Sequence, residues 1–182
     1  MPSNTMTSIP QLPGYHIKER IYAGKRTLVY RGATQHGQPV IIKVLRDDLS
    51  SLSQRVQFRN QHTIASQINS SHVVKPLALE RYEYGYAIVT PDQGGIVLSE
   101  YWLSEYWSED NCSLKDVLAS FLSDFLAIAI QLAEALQDFG KQRVIHKDIK
   151  PSNILIHPET HHIQLIDFSL SSLLSKEQQP LT

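Results

Sequence analysis

The sequence feature that most limits the possible folds is a polar loop held between two apolar runs late in the chain. Val144-Ile145 precedes the loop and Ile154-Leu155-Ile156 follows it, and both runs read as short strands. Residues 146–153 between them include an aspartate, two lysines and an asparagine. A surface loop without a chemical role is the simplest alternative, and the spacing of these polar residues argues against it.

This segment resembles the catalytic loop of protein kinases, in which a His-Arg-Asp triplet is followed at a fixed distance by an asparagine. The resemblance implies that Asp148 orients the attacking hydroxyl and accepts its proton, and that Asn153 reaches a magnesium ion on the phosphates. Lys150 matches the pattern of serine/threonine kinases, and its ammonium group would neutralise charge on the transferring phosphoryl group.

A second motif, Leu165-Ile166-Asp167-Phe168-Ser169, resembles the Asp-Phe-Gly motif of the same family. The resemblance implies that Asp167 binds the magnesium ion that bridges the β- and γ-phosphates of ATP. Ser169 stands where the family has glycine, and glycine tolerates backbone conformations that serine resists. The change is expected to affect movement of this loop more than metal binding.

The amino-terminal part predicts a β-hairpin, because the apolar runs 29–32 and 39–44 are separated by a turn-like tripeptide at 36–38. Lys43 on the second run resembles the strand lysine that holds the α- and β-phosphates. Gly24 aligns with the middle glycine of the family's glycine-rich loop, and Val29 with the valine that packs on adenine. These residues, with ATP and Mg²⁺, form the nucleotide site that the resemblance implies.

Three residues depart from the family pattern in this part. Tyr22 and Thr27 occupy the outer positions of the glycine-rich loop. Gln61 stands where the family has a glutamate that pairs with Lys43. Because a neutral hydrogen bond is weaker than a charge-assisted one, Lys43 is expected to be less firmly held.

Residues 89–95 resemble the hinge whose backbone groups hydrogen-bond adenine. The resemblance places Thr90 at the position that gates the back pocket and Asp92 among the nucleotide-binding residues. Pro91 has no N–H, which limits the backbone donors available to adenine.

Helices are predicted in two further segments. The first follows Lys43, and its rough apolar side comprises Val56, Phe58, Ile64, Ala65 and Ile68. The second runs from an N-cap at Ser123 to about Lys141, and its apolar positions include Leu126, Ile130, Ala133 and Leu136.

A hairpin turn is predicted at 157–161, between strands 154–156 and 163–166. A metal site formed by His157, His161 and His162 is the less favoured interpretation of that segment.

Together these motifs predict an α+β, protein-kinase-like fold with a complete small β-rich lobe and the first part of the helical large lobe. The expected divisions are a disordered lead at 1–13, the small lobe at 14–92, the partial large lobe at 93–176 and a tail at 177–182. Fifteen residues follow Asp167, so the large lobe is expected to be truncated and its helix to expose an apolar face. The segments 22–32, 40–46 and 166–169 resemble the kinase domain of cyanobacterial-type multi-sensor signalling kinases.

Composition narrows the functional classes. The net charge is −1, which favours neither nucleic-acid binding nor attachment to a charged membrane surface. The most apolar stretch, 121–136, contains polar residues and is too short to cross a bilayer, so no membrane insertion is expected. With one cysteine, Cys112, no intrachain disulfide can form, and a cytoplasmic location is the simplest reading.

The function that these observations favour is phosphoryl transfer from ATP to serine or threonine of an unidentified protein. The alternative is an inactive or ATP-binding-only kinase fragment that acts as a regulatory or interaction module. A small-molecule phosphotransferase is a third reading, and Lys150-Pro151 argues against it. The near repeat of tyrosine and tryptophan at 99–108 reads as an amphipathic helix or an exposed insertion, with partner docking as the alternative.

Overall fold

The computed structural model describes residues 10–46, 51–82, 85–106 and 114–175, and the side chains of all of these except 106 and 114–120. The chain divides into two compact units. The first contains the chain up to Arg59 together with Pro76–Asp92, and the second contains Asn60–Lys75 together with the chain from Gln93 onward.

Strands dominate the first unit, and the long helices lie mainly in the second. Two 3-10 turns, Pro151–Asn153 and Phe168–Leu170, interrupt the short strands at the end of the chain. The elements follow in this order: β1 Tyr15–Ala23, β2 Thr27–Thr34, β3 Pro39–Leu45, α1 Leu52–Gln67, β4 Ala78–Tyr82, β5 Gly85–Pro91, β6 Ile96–Val97, α2 Leu98–Tyr106, α3 Leu114–Lys141, β7 Val144–Ile145, β8 Ile154–Ile156, β9 Ile163–Leu165 and β10 Ser172–Leu173.

The first unit is built on an antiparallel sheet of five strands in the order β1-β2-β3-β5-β4. The predicted hairpin of β2 and β3 is confirmed, with Thr27 opposite Leu45 and Ala33 opposite Pro39. Gly37 turns the chain with a φ of 81°, a left-handed conformation that glycine adopts without strain.

One face of this sheet forms the larger hydrophobic core of the first unit. Alternate residues of β2 and β3 point into it, as the pleat of a strand requires. Gly32 permits the close approach of β1, because a Cβ there would lie 2.5 Å from the carbonyl oxygen of His16. The buried members of this core are Leu12, Leu28, Tyr30, Val40, Ile42, Val44, Ala87 and Val89.

Helix α1 has the predicted apolar side, with one exception. Phe58 packs with Leu45 and Ile88 in the first unit. Ile64 and Ala65, on the following turns, are buried in the core of the second unit. Val56 is 50% exposed, so its assignment to the apolar side was wrong.

Helix α3 is longer than the sequence predicted. It begins at Leu114, so Ser123 lies inside the helix and is not its N-cap. The polar residues around Ser123 suggested a helix start, but they lie on a helix that continues through them. A serine that can cap a helix costs little at an exposed interior position, because its helix propensity is only modestly unfavourable.

The buried side of α3 differs from the predicted apolar positions. Ile128, Ala135 and Phe139 are at most 3% exposed and belong to the core of the second unit. Leu126 and Ile130 are 51% and 60% exposed, and Leu136 is exposed as well. The expectation that this helix exposes an apolar face is therefore confirmed, whereas the 126-130-133-136 stripe is not the core-facing one.

The tyrosine- and tryptophan-rich segment forms α2 over its described part, as the helical reading predicted. Tyr101 is 2% exposed, and its hydroxyl donates a hydrogen bond to Asp124 at 3.2 Å. The Trp102 ring lies 4.6 Å from that of Phe121 and packs against the core. These two rings therefore stabilise the second unit, and residues 107 and 108 lie outside the described residues.

The predicted hairpin after the polar loop at 146–153 is confirmed as β8 and β9, with Ile154 opposite Leu165. His157 N–H donates to the carbonyl of His162 across the turn, at 3.0 Å. His161 instead pairs with Asp124 at 3.5 Å. Within the described residues, no group of three or more His, Cys, Asp or Glu is arranged to hold a metal. Among the same residues, no helix has the length and apolar character needed to cross a membrane.

Candidate active site

In the first unit, the predicted nucleotide-binding residues gather on the sheet face opposite the large core. Val29 and Lys43 lie directly opposite each other on β2 and β3, and Ile41 lies opposite Thr90 on β3 and β5. Directly paired residues of an antiparallel sheet point to the same face. Because Ile41 and Lys43 are two positions apart, all four side chains share this face, and each is half-buried.

Gly24 lies in the tight turn between β1 and β2, where its N–H donates to the carbonyl of Thr27 at 2.9 Å. The Tyr22 ring folds over it, because a Cβ on Gly24 would lie 2.8 Å from Tyr22 Cε1. Tyr22 therefore occupies space that a glycine at that position would leave open. The tyrosine itself is 58% exposed, so its ring can move aside without disturbing the core.

Asp92 follows the end of β5, and both of its polar groups bond to the sheet of the first unit. Its backbone N–H donates to the carbonyl of Pro39 at 3.1 Å. Its carboxylate accepts a hydrogen bond from Arg31 Nε at 2.8 Å. Arg31 was not among the residues predicted from sequence. No local motif marks it, since the two residues are 61 positions apart.

In the second unit, Asp148, Lys150 and Asn153 form one hydrogen-bonded group. Lys150 Nζ lies 2.8 Å from Asp148 Oδ2. Asn153 Nδ2 donates to both the backbone carbonyl and Oδ2 of Asp148, each at 2.9 Å. The 3-10 turn Pro151–Asn153 brings the asparagine back to the aspartate, and its side chain is buried. The Asp148 carboxylate is thereby fixed in orientation by two donors.

His146 connects this loop to Ile166 by hydrogen bonds. The sequence analysis did not identify it as a site residue. Its Nδ1 accepts a hydrogen bond from the N–H of Asp148 at 3.3 Å, so Nε2 carries the proton that bonds the carbonyl of Ile166 at 3.1 Å. Burial lowers the pKa of His146, and the hydrogen bond to Ile166 opposes this with a smaller effect. The ring packs 4.6 Å from that of Phe168.

Asp167, which directly follows Ile166, has a strained backbone conformation. Its φ of 63° and ψ of 71° lie in the left-handed region, which is costly for a residue with a side chain. Its carboxylate accepts a hydrogen bond from the N–H of Ser169 at 3.3 Å. Ser169 itself lies in the 3-10 turn Phe168–Leu170, whose ordinary negative φ suits serine. The replacement of glycine at this position is therefore compatible with the backbone seen here.

The oxygen donors of Asn153 and Asp167 suit magnesium, which prefers hard oxygen ligands. Since Asn153 Nδ2 is bonded to Asp148, the amide oxygen Oδ1 is the atom that can ligate a cation. The two segments are joined by a hydrogen bond from Ile166 N–H to the carbonyl of Asn153, at 3.0 Å. The chemistry of these donors is compatible with a hard divalent cation, and the assignment of magnesium to the two residues stays a prediction.

The comparison with known families agrees with this geometry. The protein kinase domain family matches residues 15–182, which is almost the whole chain. The chain therefore belongs to the protein kinase domain family, and its α+β fold is protein-kinase-like. Members of this family use ATP and a divalent cation.

Similar proteins include several serine/threonine kinases. A probable serine/threonine-protein kinase of Dictyostelium discoideum is 29% identical over 184 residues, which is 98% of this chain and 34% of that protein. Wall-associated receptor kinase 5 of Arabidopsis thaliana is 30% identical, over 93% of this chain and 22% of that protein. A serine/threonine-protein kinase of Schizosaccharomyces pombe is 26% identical, over 97% and 42% respectively. The chain spans less than half the length of each of these relatives.

Proposed function

We propose that the chain serves in ATP- and magnesium-dependent phosphoryl transfer to serine or threonine of a protein. The observation that carries this proposal is the Asp148 carboxylate, held at 2.8 Å by Lys150 and at 2.9 Å by Asn153. A carboxylate fixed in this way can orient a hydroxyl and take its proton.

In the proposed reaction, the substrate hydroxyl oxygen attacks the γ-phosphorus, and the bond from that phosphorus to the bridging oxygen of ADP breaks. Asp148 receives the hydroxyl proton, and Lys150 stabilises charge on the transferring group. A bound magnesium ion would neutralise charge on the phosphates. Asn153 Oδ1 and the Asp167 carboxylate are the atoms that would hold that ion.

The face of the first-unit sheet that carries Val29 and Lys43 supplies the proposed nucleotide contacts. Lys43 would neutralise the α- and β-phosphates, and Val29 would pack on the base beside Thr90. Gly24 would let the β1–β2 turn approach the phosphates, since it lacks a side chain that would block them. Asp92 belongs to the segment that presents backbone groups to adenine.

The finer parts of the proposal concern the cellular setting. A signalling role resembling that of the cyanobacterial-type multi-sensor kinases, in the cytoplasm, is consistent with the motifs quoted above. Partner docking through 99–108 is also a proposal, and Leu103, which is 63% exposed on α2, is the described residue that favours it.

A second candidate function is nucleotide binding without transfer. The observation that favours it is the Tyr22 ring lying over Gly24, where the family has an open glycine turn. Gln61 also stands where the family has a glutamate on α1, so this position supplies no negative charge. In this case the chain would act as a regulatory or interaction module.

Thermal unfolding of the 182-residue chain with and without Mg-ATP tests nucleotide binding first. A ligand that binds only the folded state stabilises it by about 2.7 kcal/mol at a hundredfold excess over its dissociation constant. We expect a magnesium-dependent shift that Lys43→Ala and Asp167→Ala abolish, whereas an exposed-lysine variant such as Lys141→Ala retains it.

Transfer of ³²P from ATP to a generic protein substrate then distinguishes the two functions. Phosphorylation that Asp148→Asn abolishes supports the kinase, and a thermal shift without phosphorylation supports the binding module. Absence of both the shift and the phosphorylation would refute the proposal.

A further inference from the structure

Two charged residues of the first unit, Glu19 and Arg31, lie on the same sheet face as the proposed nucleotide contacts. Glu19, Arg31, Ile41 and Thr90 form one row across β1, β2, β3 and β5, because each is the direct partner of the next. The neighbouring row contains Val29 and Lys43. Arg31 is therefore a charged residue two positions from Val29, on the face assigned to the nucleotide.

Arg31 bonds two carboxylates in unlike environments. Its Nε lies 2.8 Å from Asp92 Oδ2, and its Nη1 lies 2.9 Å from Glu19 Oε1. The Asp92 side chain is 13% exposed, whereas that of Glu19 is 58% exposed. Water and salt screen an exposed pair, so the inner bond to Asp92 is the stronger of the two. The hydrogen bond to Asp92 is also the largest cause of the raised pKa of Arg31.

The backbone of Asp92 is held independently of its side chain. Its N–H donates to the carbonyl of Pro39, the first residue of β3, at 3.1 Å. Asp92 is thus tied to β2 through its carboxylate and to β3 through its amide. Both bonds are made by the residue that follows Pro91, which has no N–H and cannot donate a ladder bond.

We propose that Arg31 is a positioning residue for the base of the nucleotide, acting through Asp92. The clamp formed by Arg31, Asp92 and Pro39 holds residues 90–92 in the place where their backbone meets adenine. Asp92 then contributes by where it fixes the chain, and its carboxylate accepts a hydrogen bond from Arg31. This inference rests on the proposed function, since it concerns the base of the same ATP.

The proposal predicts a loss that is selective for the base. Arg31→Gln removes the charge that compensates a largely buried carboxylate, and Asp92 must turn toward water to recover solvation. The backbone of 90–92 then shifts, while Lys43 on the neighbouring row keeps its place. We expect ATP to bind about tenfold more weakly, a typical size for a residue that does not touch the ligand. Tripolyphosphate, which has no base, should bind as it does to the unaltered chain.

Isothermal titration of Mg-ATP and Mg-tripolyphosphate into the full chain measures this selectivity. Glu19→Gln is the matched control, since it removes the charge of the outer, exposed pair and leaves the inner bond to Asp92 in place. Arg31→Lys should restore part of the ATP affinity. Lysine keeps the positive charge but lacks the guanidinium group, whose separate nitrogens bond Asp92 and Glu19. In an Asp92→Asn background, Arg31→Gln should cause a smaller further loss, because each change removes one charge of the same pair.

Amide hydrogen exchange of the chain without ligand tests the clamp separately from ATP binding. The Asp92 N–H should exchange faster in Arg31→Gln and unchanged in Glu19→Gln. Unchanged exchange, or equal weakening of ATP and tripolyphosphate, would overturn the inference. If the unaltered chain binds neither ligand, the proposed function fails and this inference fails with it, whereas normal ATP binding by Arg31→Gln removes this inference alone.

Discussion

Removal of the Asn153 side chain should destabilise the protein by an amount that follows from the hydrogen bonds of the loop at 146–153. Asn153→Ala deletes two hydrogen bonds to Asp148, one to its backbone carbonyl and one to Oδ2, both at 2.9 Å. A neutral hydrogen bond contributes about 1 kcal/mol, and one to a charged group about 1.5–3 kcal/mol. The Asp148 side chain is 25% exposed, so the lower part of that range applies to its bond. The expected loss in the free energy of unfolding is about 2–3 kcal/mol.

Urea denaturation at pH 7 of a double-mutant cycle checks this reasoning. The variants are Asn153→Ala, Asp148→Ala and the pair, with the exposed Asn69→Ala as a control expected to stay within about 0.5 kcal/mol. If the asparagine acts through the aspartate, the two losses should fall short of additivity by about 1 kcal/mol or more. Additive losses would mean that the bond from Asn153 Nδ2 to Asp148 Oδ2 contributes little, and would refute the account of Asp148 as a carboxylate held by Asn153.

Three further outcomes follow from the same structure. Gly32→Ala should cost about 1–3 kcal/mol in urea denaturation, because its Cβ would meet the backbone of β1, whereas Gly140→Ala in α3, with open space around it, should gain up to about 1 kcal/mol. Ile128→Ala should cost about 2–5 kcal/mol and Leu126→Gln less than about 0.5 kcal/mol, and the reverse order would show that the faces of α3 are misassigned. Since burial lowers the pKa of His146, the unfolded chain binds its proton more readily, and stability should fall as the pH drops below about 6.5 until it passes the lowered pKa. His146→Phe should lose stability less steeply over that range, and equal pH slopes would contradict the argument.

Short-range patterns predicted much of the chain. The hairpins β2–β3 and β8–β9 follow from short strand-like runs separated by turn-forming segments, at 36–38 and at 157–161, and such signals act over a few positions. The grouping of Asp148, Lys150 and Asn153 was also within reach, because a tight loop brings residues at this spacing together. The family resemblance rested on the same local motifs, and the match over residues 15–182 confirms it.

The sequence analysis misjudged where helix α3 begins and which residues of the helices are buried, because these features depend on long-range packing. The start of α3 was misplaced at Ser123, because polar residues inside a helix look the same as residues that cap one. Its core-facing side was also misjudged, since the helix carries apolar residues on more than one side. Val56 was misassigned on α1 for a related reason. Its spacing is helical, but the packing of the described residues leaves it 50% exposed.

What the amino-acid sequence by itself determined is the set of chemical groups: the aspartates, the asparagine and the two lysines, each on a strand or loop that local spacing defines. What only the tertiary structure decided is how those groups are held. Arg31 meets Asp92 across 61 positions, and His146 meets Ile166 across 20. Such pairs form because folding brings together segments that are distant in the chain, and a buried polar group must then bond whichever partner the packing provides.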